Sequence, residues 1–159
     1  MRRKDKEVTS REWMERTLDA GEWLTLAMRG TDGEPYAVPL NYGYCDGCII
    51  VHGATEGTKI SALKKYPRVC FSVVTETELV RSEDPSNFSE KYKSVIGRGD
   101  AEFIDDTAGK RKALSALMRH YNGPTEPMSD ETLAHVAVVK IKITEMTGKI
   151  SGYSKDGTE

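Results

Sequence analysis

The chain has 159 residues, 38% of them hydrophobic and 30% charged, with a formal net charge of −2. That length suits one domain with a real core, and the balanced charge offers no electrostatic grip on nucleic acid. No apolar run approaches the ~20 residues of a membrane-spanning helix, and the start MRRKDKEVTSREW has basic residues with no hydrophobic segment behind them, so a cytoplasmic protein is expected.

The first predicted helix opens at Thr9, with Glu12 three residues on as a capping box and Gly21 as its stop. Trp13, Met14, Thr17 and Leu18 give it one apolar side. WLTLAM at 23–28 alternates as a strand, and Thr31-Asp32-Gly33-Glu34 turns it into the next. From Tyr36 to Ile60 the sequence reads as a β-hairpin running into a short helix. Asp46-Gly47 is a two-residue type I′ signal, which predicts the pairs Cys45–Cys48, Tyr44–Ile49, Tyr42–Val51 and Asn41–His52. One face then carries Val38, Leu40, Tyr42, Tyr44, Ile49 and Val51 as core. The other carries Pro39, Asn41, Gly43, His52 and Ala54, a flat and polar surface suited to a planar ligand.

Thr55 is the expected N-cap of the helix that follows, which runs through Ile60, Leu63 and Lys64 until Tyr66-Pro67 stops it. The free N–H groups of its first turn, the permissive Gly57 and the cation of Lys59 together form a natural anion site.

Arg68–Val74 reads as a strand rich in β-branched and aromatic residues, and 75–90 as a polar, acidic loop with a possible strand edge at Leu79-Val80. Lys93–Ile104 is a long strand whose Gly97 and Gly99 imply a bulge, a barrel bend or a close approach. Asp105 and Asp106 cap a helix from Thr107 to about Tyr121, where His120 complements the dipole. Ser129 starts a helical turn, Val136–Thr144 and Gly148–Gly152 read as the last two strands, and Ser154–Glu159 as a loose tail. Six or seven strands with two or three peripheral helices predict a mainly β barrel, in one domain over residues 1–152 with a tail at 153–159. The dinucleotide fingerprint G-x-G-x-x-G is absent, so a doubly wound parallel sheet is not expected.

VPLNYGY, HGATEGTKI, YPRVCFSV and KSVIGRGDAEFI together resemble the pyridoxamine 5′-phosphate oxidase-related FMN-binding split barrels. The MRRKD start is similar to the nitroimidazole-resistance reductase branch, and the likeness extends from Met1 to Gly152. It implies a homodimer with FMN at the subunit interface. Val38, Pro39, Leu40 and Asn41 would line the ring system, with His52, Gly53 and Ala54 beside it. Gly57, Thr58, Lys59 and Ile60 would hold the phosphate, while Ser94, Val95 and Ile96 approach from a neighbouring strand or the partner. The arginine–lysine phosphate pair of the oxidase is reduced here to Gly57 and Lys59, and its C-terminal substrate motif is missing, so oxidation of pyridoxamine phosphate is not expected.

The implied chemistry is a reductase passing electrons to a small electron-poor acceptor such as a 5-nitroimidazole, with His52 orienting or protonating it, or serving only as a structural residue held by Asn41. The rival readings are a non-catalytic FMN carrier or sensor, and a split barrel holding haem or a deazaflavin. Cys45-x-x-Cys48 lacks the further ligands a zinc site needs, so no metal is expected. The two thiols face each other across the turn but stay reduced in a reducing compartment, and Cys70 is expected as a small buried hydrophobe.

Overall fold

The computed structural model describes residues 2–124 and 126–154; the predicted tail from 155 onward lies outside the described residues. In chain order the elements are β1 (Glu7–Val8), α1 (Arg11–Ala20), β2 (Leu24–Arg29), β3 (Pro35–Leu40), β4 (Gly43–Cys45), β5 (Cys48–Gly53), α2 (Thr58–Lys65), β6 (Arg68–Val80), β7 (Ser89–Ile104), α3 (Thr107–His120), α4 (Asp130–Ala134) and β8 (Ala137–Ser151), with single 3-10 turns at Lys4–Lys6 and Pro85–Asn87. The mainly β expectation holds, with eight strands among the described residues where six or seven were expected.

Every ladder is antiparallel, in the order β3-β2-β6-β7-β8-β5-β4, and β1 adds to the free end of β8. Among the described residues no ladder joins β3 to β4, so the sheet curls without closing, the geometry of a split barrel. Pro35 and Pro39 sit on β3, whose outer edge needs no donors. Leu24, Leu26, Phe71, Val73, Val95, Ile49, Val51 and Ile141 fill the interior, closed by Trp13 and Leu18 of α1 and by Ala62 and Leu63 of α2. A second core lies outside the barrel wall, where Leu114 and Leu117 of α3 and Leu133 just before β8 pack on Ile50 and Val138.

Three sequence expectations change, the first two because tertiary pairing outweighs local propensity and the third by a one-residue shift of a local cap. The strand edge expected at Leu79-Val80 is present, but 75–78 around it is strand rather than loop, since Glu78–Val80 pair with 89–91 beyond an irregularity between Thr75 and Glu78. The two predicted C-terminal strands are one, because polar Glu145–Gly148 find a continuous partner in Val95–Arg98 of β7. Helix α1 is capped by Ser10, whose hydroxyl accepts from the Trp13 N–H at 3.3 Å, not by Thr9. The long β7 bends where register shifts between Arg98 and Gly99. A Cβ on Gly97 would lie 2.3 Å from the Phe71 ring, so that glycine serves the bend and the core beneath it. Among the described residues no helix is long and apolar enough to cross a membrane.

Candidate functional site

The hairpin turn forms as its residues dictate. Asp46 and Gly47 both take positive φ, 51° and 73°, and the ladder pairs Cys45 with Cys48, Tyr44 with Ile49 and Gly43 with Ile50. There it stops. Asn41 and Tyr42 belong to no strand, so the expected Tyr42–Val51 and Asn41–His52 pairs do not form. Strand β3 must leave to pair with β2, and Tyr42 is pinned where it departs. Its fully buried ring directs the hydroxyl to the Leu18 carbonyl at 2.5 Å, and its N–H donates to the Tyr121 hydroxyl at 3.0 Å. His52 and Gly53 instead pair with Val138 and Ala137 of β8.

The flat outward face expected of this hairpin is also divided. At Gly43 a Cβ would lie 2.7 Å from the Leu117 Cα, so α3 sits directly on the strand, and Ile50 on the same side is core to that helix. Gly43 is small because a helix needs the space. Only the far end of β5, at His52, Gly53 and Ala54, emerges past α3.

Beyond that end the chain turns into α2. Its N-cap is Gly57 rather than Thr55: φ is +112° and ψ 175°, a backbone favouring glycine, and no side chain caps the first turn. The N–H groups opening α2 are therefore left for another acceptor, and nothing stands within 4 Å of the place a Gly57 Cβ would occupy. Lys59 folds back along Gly53, where a Cβ would lie 2.8 Å from Nζ, and donates to the His52 carbonyl at 3.1 Å. This is the reason a glycine follows His52, and the sequence carried its only signal in that spacing.

The electrostatics fit an anion. Among the described residues Lys59 has no carboxylate partner, whereas Lys91, Lys93 and Lys140 each have one. Lys59 is half-buried, and desolvation lowers its pKa. His52 is lowered as well, first by burial and then by the Lys59 charge, so its ring is neutral at pH 7. An oxyanion set against α2 would restore what burial takes from Lys59, so these residues fit a phosphate group.

The other predicted site residues are placed unevenly. Val38 and Leu40 are half-buried against the barrel core, and Pro39 is exposed. The side chains of Ile60 and Val95 are buried, leaving only their main chain to meet a ligand, while Ser94 is nearly buried and Ile96 is 50% exposed. The register sets Ser94–Ile96 apart from His52. The row through His52 crosses Val138 to Ile104, eight residues and roughly 26 Å of strand from Ile96. Within one protomer the two groups do not share a site. His120, expected only to face a helix dipole, has its Nε2 2.7 Å from the Gly21 carbonyl and stacks near Tyr42, which ties α3 to the end of α1. Cys70 is half-buried on the outer sheet face beside Arg98, not in the core, because β6 alternates Val69, Phe71 and Val73 inward. Among the described residues no cluster of ligands could hold a metal.

The profile of the pyridoxamine 5′-phosphate oxidase family matches residues 10–150. The structure is similar to that of a protein from Bacteroides thetaiotaomicron provisionally assigned to 5-nitroimidazole antibiotic resistance, at 30% identity and TM-score 0.82 over 91% of this chain and 86% of the other. It is similar to a FAD and haem binding protein from Mycobacterium smegmatis, at 25% identity and TM-score 0.83 over 96% of this chain and 77% of that one. A FAD-binding protein from Mesorhizobium loti matches at 27% identity and TM-score 0.65 over 90% and 96%. No curated protein matches the chain. With its split-barrel ladder order and a family profile spanning nearly its whole length, the chain belongs to the pyridoxamine 5′-phosphate oxidase family.

Proposed function

We propose that the chain is a flavin-dependent oxidoreductase that binds FMN and reduces small electron-poor acceptors, nitroaromatics such as 5-nitroimidazoles among them. The observation that carries this reading is Lys59: a half-buried cation without a carboxylate partner among the described residues, beside an uncapped helix start and a neutral histidine. Flavin binding by similar structures, and the 5-nitroimidazole assignment of one of them, support it.

In this reading the first N–H groups of α2, at Thr58 to Ile60, and the Lys59 ammonium hold the phosphate, with Gly57 letting it approach the backbone. Val38–Asn41 and His52–Ala54 border the ring system. A bound flavin supplies the electron transfer, which none of these side chains can perform. The protein positions the acceptor and controls protons. His52, held neutral, donates one hydrogen bond from its protonated ring nitrogen and orients an acceptor oxygen without placing a second positive charge beside Lys59.

A homodimer is part of the proposal. The outer face of β3, β2, β6 and β7 carries small side chains, with Pro39, Thr25, Ser72 and Ile96 in one cross-strand row. Val74 and Ile96 on that face are half exposed. Two copies joined there would let one protomer's Ser94–Ile96 approach the other's flavin, which the register rules out within a single chain.

The test is an absorption spectrum of purified protein alongside Lys59→Ala, followed by anaerobic reduction of metronidazole with photoreduced protein as the electron source. Flavin bands released as FMN and lost in the variant, with turnover of the nitro compound, are expected. Colourless protein that ignores added FMN sinks the flavin reading, FAD on release corrects the cofactor, and a Soret band moves the assignment to haem. Tight FMN without turnover leaves a carrier or sensor.

A further inference from the structure

At the turn end of the same hairpin lies a solvent-open cavity of about 250 Å³ between β4–β5, α3, the end of β7 and the start of β8. Its floor is apolar: Ile50, Ile104, Ala113 and Ala116. The two alanines are nearly buried, and their small side chains leave the trough that a longer residue would fill. Its rim is cationic. Lys112 and Arg119 stand two turns apart on one side of α3, and neither has a carboxylate partner among the described residues. The third rim cation, Lys140, is already paired with Glu102 at 2.9 Å. Asp46 is the one carboxylate on the wall, and it is engaged by the Cys45 thiol at 3.4 Å. The volume falls just below the usual range of small-molecule pockets, roughly 300 Å³ upward.

We propose that this cavity is a second ligand site, separate from the one at Lys59, that takes a small organic anion: an apolar or aromatic body on Ile50, Ile104 and Ala116, and a carboxylate at the Lys112–Arg119 rim. Neither the anion site nor any dimer contact is needed for it. An apolar floor alone would take neutral compounds equally well. Two unpaired cations on one edge distinguish charge, and their stems shelter the apolar body from water.

The experiment compares 1-naphthoate with its neutral isostere 1-naphthamide on the full chain, by calorimetry or amide chemical shifts. Naphthoate should bind about five-fold more tightly, the gain expected of two exposed ion pairs. Lys112→Gln/Arg119→Gln should erase that preference, and Lys59→Ala should leave it intact. Saturating naphthoate should slow iodoacetamide modification of Cys45 and Cys48, read by peptide mass spectrometry, with Cys70 as the unprotected control. Equal affinity for the two compounds, a preference that survives the double substitution, or no binding by either overturns the proposal. Both rim residues are exposed, so the glutamine pair should fold as the parent does, and its thermal midpoint checks this.

Discussion

The two ends of β5 make opposite use of similar chemistry. At Cys48–Ile50 a small residue on the neighbouring strand, Gly43, accepts a helix, and the outward Ile50 side chain is buried as core. At His52–Gly53, four residues on, a small residue accepts a folded-back lysine, and the polar groups meet solvent. Small and polar residues on a strand thus do not by themselves declare a ligand face. What separates the ends is whether a second element arrives to cover them.

The largest expected effect falls on the covered end. Gly43→Val should destabilise the fold by about 3 kcal/mol, because the added methyls meet the Leu117 backbone, which cannot move aside as a side chain could. Urea unfolding reads the loss, and whatever protein still folds should bind flavin normally; equal loss of both would mean the two ends are coupled. On the open end Lys59→Ala should weaken FMN roughly 10- to 100-fold, the worth of one charge-assisted hydrogen bond, with almost no change in stability. A strongly destabilised variant would instead make Lys59 a structural residue that ties α2 to β5.

Tyr42→Phe probes the divide between the ends. Losing the hydrogen bond to the Leu18 carbonyl should cost about 1 kcal/mol, a few degrees in thermal midpoint, since that carbonyl also accepts from the Gly21 N–H. The smallest effect concerns pH. Burial and Lys59 favour the neutral His52 ring in the folded state, so the unfolded chain binds the proton more readily. The stability this carries is complete above the ordinary histidine value of 6.5 and is lost as pH falls below it. His52→Gln should therefore flatten part of the acid slope between pH 7 and pH 5 in denaturant titrations; an unchanged slope would place the titration elsewhere.

Much of this was legible without coordinates. The Asp46-Gly47 turn set the register of three ladder pairs, because two residues of positive φ leave a hairpin one way to twist. The apolar side of α1, the Asp106 cap of α3 and the Tyr66-Pro67 stop of α2 follow from local hydrogen bonding and sterics, and each is where its residues predict. Within the candidate site, Lys59 was readable as the cation of an anion site, while His52 was expected opposite Asn41 and the structure instead sets its carbonyl against the Lys59 ammonium.

What the sequence determined by itself, then, is much of what depends on neighbours within a few residues: the hairpin turn, the Asp106 cap, the alternation, and the barrel class these add up to. Tertiary structure decided how the strands pair beyond these local turns. It ended the β4–β5 ladder at Gly43 so that β3 pairs with β2 and not β5, extended β6 and β8 through polar stretches, and laid α3 on Gly43. Ladder hydrogen bonds are indifferent to side-chain identity, and the cover on a sheet face comes from residues far along the chain, so neither leaves a local trace.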